Sequence, residues 1–314
     1  MGGFAGGLAA ASDLCSRDGL EGDRRTVRGE ALNRAIGAVA LLAAAVVALT
    51  GCAETTGHAG HAGNGTDAAA AADPTGFPAG AVPDYQLGGA YDPAAGVGIV
   101  GRDRAAEPAP GVYSICYVNG FQTQPGELDT WDDDLLLHRD GEPVFDPDWP
   151  DEVLVDTSTA ERRERIAQQV IPWIEGCADA GFDAVEFDNL DSYTRSDGAL
   201  TLDDNLWLAT MLVDAAHAVG LAAGQKNAAE DARVLHEQAG FDFAVTEECA
   251  AYRECAAYTD VYGDSVIDIE YSDELPREFA EMCADPDSPA SMVLRDRDLV
   301  TPDDEAYVFE TCAA

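Results

Sequence analysis

Lysine is almost missing from this 314-residue chain, where Lys226 stands alone against 17 arginines. Bases of both kinds total 18 against 59 acids, for a formal net charge of -41. A surface that acidic repels nucleic acid and anionic lipid headgroups, which excludes nucleic acid as an expected partner. No CxxC pair occurs among the eight cysteines, so the usual spacing of a zinc site is absent. The acid-rich stretches Trp131 to Asp134 and Asp146 to Glu152 lack the glycine and spacing of an EF-hand loop. No metal and no other cofactor is therefore expected. Nor does any apolar run reach the ~20 residues of a membrane-spanning helix. The longest, Ala35 to Leu49, has 15.

That run has the length of a signal-peptide apolar region and follows a cluster of arginines. The quartet Leu49-Thr50-Gly51-Cys52 resembles a bacterial lipoprotein signal, which implies lipidation of Cys52 and a membrane tether at that residue. Residues 1–51 then form a leader with an over-extended start, and 52–81 a flexible linker rich in Ala, Gly and Thr. His58 and His61 are polar filler within it. The expected location is the outer face of the cell membrane, or secretion, with the protein a monomer. Before residue 53 five acids balance five arginines, so the whole charge excess belongs to residues 53–314. It reflects either adaptation to salty surroundings or attraction of a cationic ligand. In an oxidising compartment six cysteines favour disulfides. Cys249 is expected to pair with Cys255, and Cys283 with Cys312, while Cys116 and Cys177 either pair or stay as buried thiols.

From residue 82 to the C-terminus, short β-rich runs alternate with helical patterns, which signals repeated βα units on a parallel sheet. Eight strands are read, at 84–89, 112–120, 152–158, 184–189, 221–228, 243–249, 265–272 and 291–298. Between them Ser158 and Glu161 form a capping box before a face of Ile166, Val170, Ile174 and Cys177. Thr201 is the N-cap of a second helix carrying Leu206, Ala209, Val213 and Ala216. Eight such units fit a single (β/α)8 barrel domain of the α/β class over residues 82–314. A doubly wound sheet is the rival, but no Gly-rich phosphate turn opening a helix is read after the first strand.

In such a barrel reactive groups sit where strands end. The stretch VEFDNLDSY places Glu186 inside an apolar run and Asp188, Asn189 and Asp191 at its end. Other strands end in Asp156, in Lys226-Asn227, in Glu247-Glu248 and in Glu270-Tyr271. A chain rich in acids explains acids anywhere, but it does not explain a solitary lysine among carboxylates at a strand end. An ammonium is a compact point charge that a guanidinium fork does not replace, so Lys226 is read as a site residue.

The ordered motifs YQLGGAYDP, ICYVNG, WPDEVLVD, GFDAVEFDNLDSY, GLAAGQKNA, VTEECAAYREC and VIDIEY resemble those of glycoside hydrolase family 114, the endo-α-1,4-polygalactosaminidase-like barrels. The resemblance covers residues 84–272. It implies a (β/α)8 fold, cleavage of galactosamine-containing α-glycans, Asp188 as nucleophile and Glu247 as general acid/base. It also strengthens the Cys249 to Cys255 pairing. Two departures stand out. Glu127 occupies the region where the family carries a Glu near an Arg, yet no arginine follows, and Glu248 replaces the family's Gln. A neighbouring carboxylate raises the pKa of Glu247 if both face the cleft, but strand alternation points Glu248 away.

The chemistry is coherent without the family name, since glycoside cleavage needs one carboxylic acid and one carboxylate. Lys226, between the two in strand order, pairs with the ionised member. Asn189, Asn227 and Asp156 are expected to bind sugar hydroxyls, and Asp191 an amino-sugar cation or the following turn. Tyr85, Tyr117, Trp149, Tyr193 and Tyr271 offer faces for sugar rings. Glu270 is a sugar ligand, a partner of Lys226 or part of a structural ion pair. The expected function is a lipid-anchored glycosidase acting on an α-1,4-linked galactosamine polysaccharide. The rival class is a lipid-anchored barrel that binds glycan without cleaving it.

Overall fold

The computed structural model describes residues 76–312. Its first strands are β1 (Val82–Tyr85), β2 (Val97–Asp103) and β3 (Tyr113–Asn119), after which a long excursion carries the ribbon of β4 (His138–Arg139) and β5 (Glu142–Pro143). The chain then returns with β6 (Ala184–Asp188), β7 (Ala222–Lys226), β8 (Phe243–Glu247), β9 (Val266–Tyr271) and β10 (Ser291–Arg295). Apart from β4 and β5, these strands lie side by side in chain order and all run parallel. A short β11 (Phe309–Thr311) runs antiparallel to β10. The result is a nearly closed (β/α)8 barrel. Arg295, fully buried on β10, spans the remaining seam by donating to Asp84 Oδ1 (3.1 Å) and to the carbonyl of Tyr85 on β1.

The helices are α1 (Ala160–Ala180), α2 (Leu202–Ala218), the single turn α3 (Ala232–Val234), α4 (Cys249–Tyr252), α5 (Cys255–Tyr262) and α6 (Phe279–Cys283). Thr201 caps α2 through a full capping box with Asp204. The cap of α1 lies one residue beyond the sequence expectation. Thr159, not Ser158, accepts from Arg162 N, because the Ser158 hydroxyl is committed to Asp156.

Side-chain alternation divides the strands cleanly between two cores. Ile115, Ala184, Ala222, Phe243, Val245, Ile267, Ile269 and Val293 fill the barrel. Cys116, Val118, Val185, Phe187, Ala223 and Ala244 point outward into the layer that α1, α2 and α5 cover. The disulfide Cys116–Cys177 fastens α1 to β3 across this outer layer, Cys249–Cys255 joins α4 to α5, and Cys283–Cys312 ties α6 to the chain after β11.

Two strand assignments change. Residues 152–158 are not in the barrel and make only isolated bridges, through Val153, Leu154 and Val155, within the excursion after β3. Their apolar alternation arises because Val153 and Val155 pack into the large outer core while Leu154 between them joins Leu137 and Leu200 in a separate small cluster. The eighth parallel strand is instead β2, whose Gly98 and Gly101, with Gly96 just before them, give it the composition of a loop. These glycines even have G-x-G-x-x-G spacing, but Gly96 makes the left-handed turn into the strand (φ 95°), and Gly98 and Gly101 serve packing rather than a phosphate turn. A Cβ at Gly98 would lie 2.8 Å from Ala81 Cβ, and one at Gly101 would lie 2.6 Å from the Tyr85 ring. The leader, Cys52, the two linker histidines and residues 52–75 lie outside the described residues.

Candidate active site

The C-terminal ends of β3, β6, β7, β8 and β9 open onto a cleft of about 580 Å³. Into it project Tyr117, Asp188, Lys226, Glu247 and Tyr271, each on the inward face of its strand. The next residues take left-handed backbone at three of these ends: Asn189 (φ 62°), Asn227 (φ 50°) and Glu248 (φ 60°). That conformation turns the chain sharply away and leaves the last strand residue at the rim. Asn tolerates it well, whereas Glu there holds strain of about 1–2 kcal/mol.

Lys226 is buried at the centre. Its Nζ lies 3.2 Å from Glu247 Oε2 and 3.7 Å from Asp188 Oδ2, so one ammonium is shared by two carboxylates from different strands. It also sits 5.4 Å from the centre of the Tyr85 ring and 5.8 Å from that of Tyr117. Burial opposes the charge on Lys226, but Asp188, Glu247 and Glu186 together raise its pKa.

Each carboxylate has further partners. Tyr117 Oη donates to Asp188 Oδ2 at 2.8 Å, and the amide of Asn189 donates to Oδ1 at 2.8 Å. Tyr271 Oη donates to Glu247 Oε1, and Asn227 Nδ2 to Oε2 at 2.9 Å. Burial pushes the Glu247 pKa up, but Lys226 and these two donors outweigh it and hold the group below the usual range. Glu247 is thus more firmly ionised than an ordinary glutamate.

Glu248 also faces the cleft, against the alternation rule, because the strand ends at Glu247 and the left-handed turn redirects the following side chain. Its charge is met by Arg297, with Nη2 3.0 Å from Oε1. Asp191 lines the cleft and accepts from Arg195 Nη1 at 2.9 Å. Asn189 and Asn227 line it as well.

Four expected ligands lie elsewhere. Tyr85 is beneath the cleft and donates to the buried Glu186. Tyr193 turns away and donates to Asp231 at 2.8 Å. Asp156, brought to the rim only by the strand reading of 152–158, pairs with Arg162 at 2.8 Å beside α1. Glu270 faces outward from β9 and accepts from the amides of Ala250 (2.9 Å) and Ala251 (3.1 Å) at the start of α4, so neither a sugar nor Lys226 reaches it. Glu127 does acquire an arginine, but it is Arg104 at the end of β2, and the pair lies outside the cleft.

Of the wall opposite, the sequence reading named only Trp149. It lines the cleft with Asp146, Asp148 and Glu152 from the excursion after β3, and Asp103 joins them from the end of β2. Glu152 accepts from Asn119 Nδ2 at 2.9 Å, and burial, aided by Asp188 and Asp146, lifts its carboxyl to about 7. The acid-rich DPDWPDE run was the available signal. Nine carboxylates and three cations line the cleft in all, which makes it a receptacle for positive charge.

A family model described as glycoside-hydrolase family GH114 matches residues 64–314. Among solved structures, Aspergillus fumigatus Ega3 in complex with galactosamine is 24% identical, with 75% of this chain and 97% of that one covered at a TM-score of 0.61. The glycoside hydrolase domain of PelA from Pseudomonas aeruginosa is 12% identical, with 73% and 98% covered at a TM-score of 0.51. No curated protein matches the chain.

Proposed function

The chain belongs to glycoside hydrolase family 114, and from that premise we propose that it cleaves an α-1,4-linked, galactosamine-containing polysaccharide with Asp188 as nucleophile and Glu247 as general acid/base. The observation that carries the reading is the shared ammonium of Lys226, which brings carboxylates from β6 and β8 to one side of an open cleft. Glycoside cleavage needs such a pair, one to attack the anomeric carbon and one to give a proton to the leaving oxygen. Because both carboxylates touch one nitrogen, their nearer oxygens are within about 7 Å, a limit that admits the ~5–5.5 Å of retaining enzymes and the lower end of the ~6.5–9.5 Å inverting range.

In the reaction Tyr117 and the Asn189 amide orient Asp188 for attack, while Glu247 must first take up a proton against the pull of Lys226. The free enzyme therefore works best on the acid side of neutrality. An amino sugar is protonated there, and the cleft's excess of carboxylates suits it. That Ega3 was solved with galactosamine supports the same sugar class. Trp149, 60% exposed at the cleft's edge, offers a face on which a further sugar ring can lie. We propose too that the protein acts outside the cell, lipid-anchored at Cys52, a location the three disulfides support.

The test is product analysis of the purified protein with α-1,4-galactosaminan and its N-acetylated form. A ladder of oligosaccharides from the free amine polymer, with slower release from the acetylated one, is the expected result. Binding without release from either would replace this reading with the non-cleaving glycan-binding protein.

A further inference from the structure

Beneath the two carboxylates lies a third acid that no step of this reaction uses. Glu186 precedes Asp188 by two residues on β6, so it shares the inward face one layer deeper in the barrel. It is fully buried. Tyr85 Oη donates to its Oε1, while its Oε2 has no hydrogen-bond partner. Lys226 lies above it, within 4 Å of both upper carboxylates and forming no such pair with Glu186. The groups that face Glu186 are Tyr85 from β1, Tyr117 from β3, Asp188 from its own strand, Lys226 from β7 and Glu247 from β8. A carboxylate with one oxygen unpaired in a dry interior is far costlier than a neutral carboxylic acid. Burial, opposed by Lys226 and Tyr85, lifts Glu186 to about 7.

Resting on the glycosidase reading, we propose that Glu186 is a positioning residue for that reaction, a carboxylic acid seated on Tyr85 under Lys226 whose proton leaves the lysine's charge to Asp188 and Glu247. Neutral Glu186 keeps one ammonium for two carboxylates. When it loses its proton, a third negative charge enters the same buried cluster and the hold of Lys226 on Glu247 weakens. Glu247 then keeps its own proton to higher pH. Glu186 thereby softens the decline of activity as the pH passes neutrality.

Two readouts test this. The infrared carboxyl stretch of the wild type minus that of Glu186→Gln should show one protonated carboxyl that titrates near pH 7, and Glu152→Gln should leave that difference in place. The pH profile of kcat, each variant scaled to its own acid-side value, should fall more steeply above pH 7 in Glu186→Gln than in the wild type. Tyr85→Phe removes a hydrogen bond that favours the ionised form, so it should move both the infrared titration and the inflection to higher pH. That variant also decides the matter if Glu186→Gln does not fold. Superimposable profiles, or an infrared difference lacking a protonated carboxyl, would overturn the proposal. If the wild type releases no product, the glycosidase reading fails, and the infrared comparison still decides the state of Glu186.

Discussion

Lys226 places one positive charge between two carboxylates, and that charge holds Glu247 ionised below the usual range. Removing its charge by Lys226→Gln leaves Glu247 buried without its cation, and its pKa rises. The sign comes from the wild-type direction: a depressed Glu247 loses its proton at lower pH than a free glutamate, so the alkaline limb of kcat/KM lies on the acid side. In Lys226→Gln that limb is expected at higher pH, with kcat lower by about 10²-fold, the scale of a misplaced acid–base group. Lys226→Arg should not restore the rate, because a planar fork does not fit a point between two carboxylates 3.2 and 3.7 Å away. A pH–rate series on the three proteins checks this, and an unmoved limb in the Gln variant would count against the role given to Lys226.

At the scale of strands and loops, β2 shows how packing overrides composition. Its Gly101 admits the Tyr85 ring, which in turn holds Glu186, so the strand supports the site from below. Gly101→Ala places a methyl 2.6 Å from that ring and should destabilise the fold by about 1–3 kcal/mol. Thermal unfolding measures it, and an unchanged midpoint would contradict the packing argument. The same strand explains what the sequence makes legible and what it hides. The strands β6 to β10 read directly because each is a short apolar run ending in polar residues, and that places Asp188, Lys226 and Glu247 at one rim. Gly98 and Gly101 conceal β2, since a glycine needed for close approach looks like a glycine needed for a turn, as Gly96 before them is. Residues 152–158 carry strand-like alternation because Val153 and Val155 enter the outer core and Leu154 a small separate one, which puts Asp156 at the rim on paper and hides Glu152, the residue that does face the cleft. Glu248 defeats the alternation rule because alternation stops where the left-handed turn begins.

For the molecule as a whole, the charge of -41 and the acidic cleft point the same way, toward a cationic polymer. Such attraction between solvent-exposed charges is screened by salt, with a Debye length of about 10 Å at 0.1 M and about 3 Å at 1 M. KM for the free-amine polymer should therefore rise several-fold across that range, while kcat, set in the buried cluster, changes little. An equal response with the N-acetylated polymer would show that the acidic surface answers to salt alone. The decisive comparison is product release by the wild type, Asp188→Asn and Glu247→Gln at matched polymer binding. Loss of about 10²- to 10⁴-fold in both variants, with binding retained, is the predicted result. Cleavage surviving in either variant would contradict the assignment of these two carboxylates.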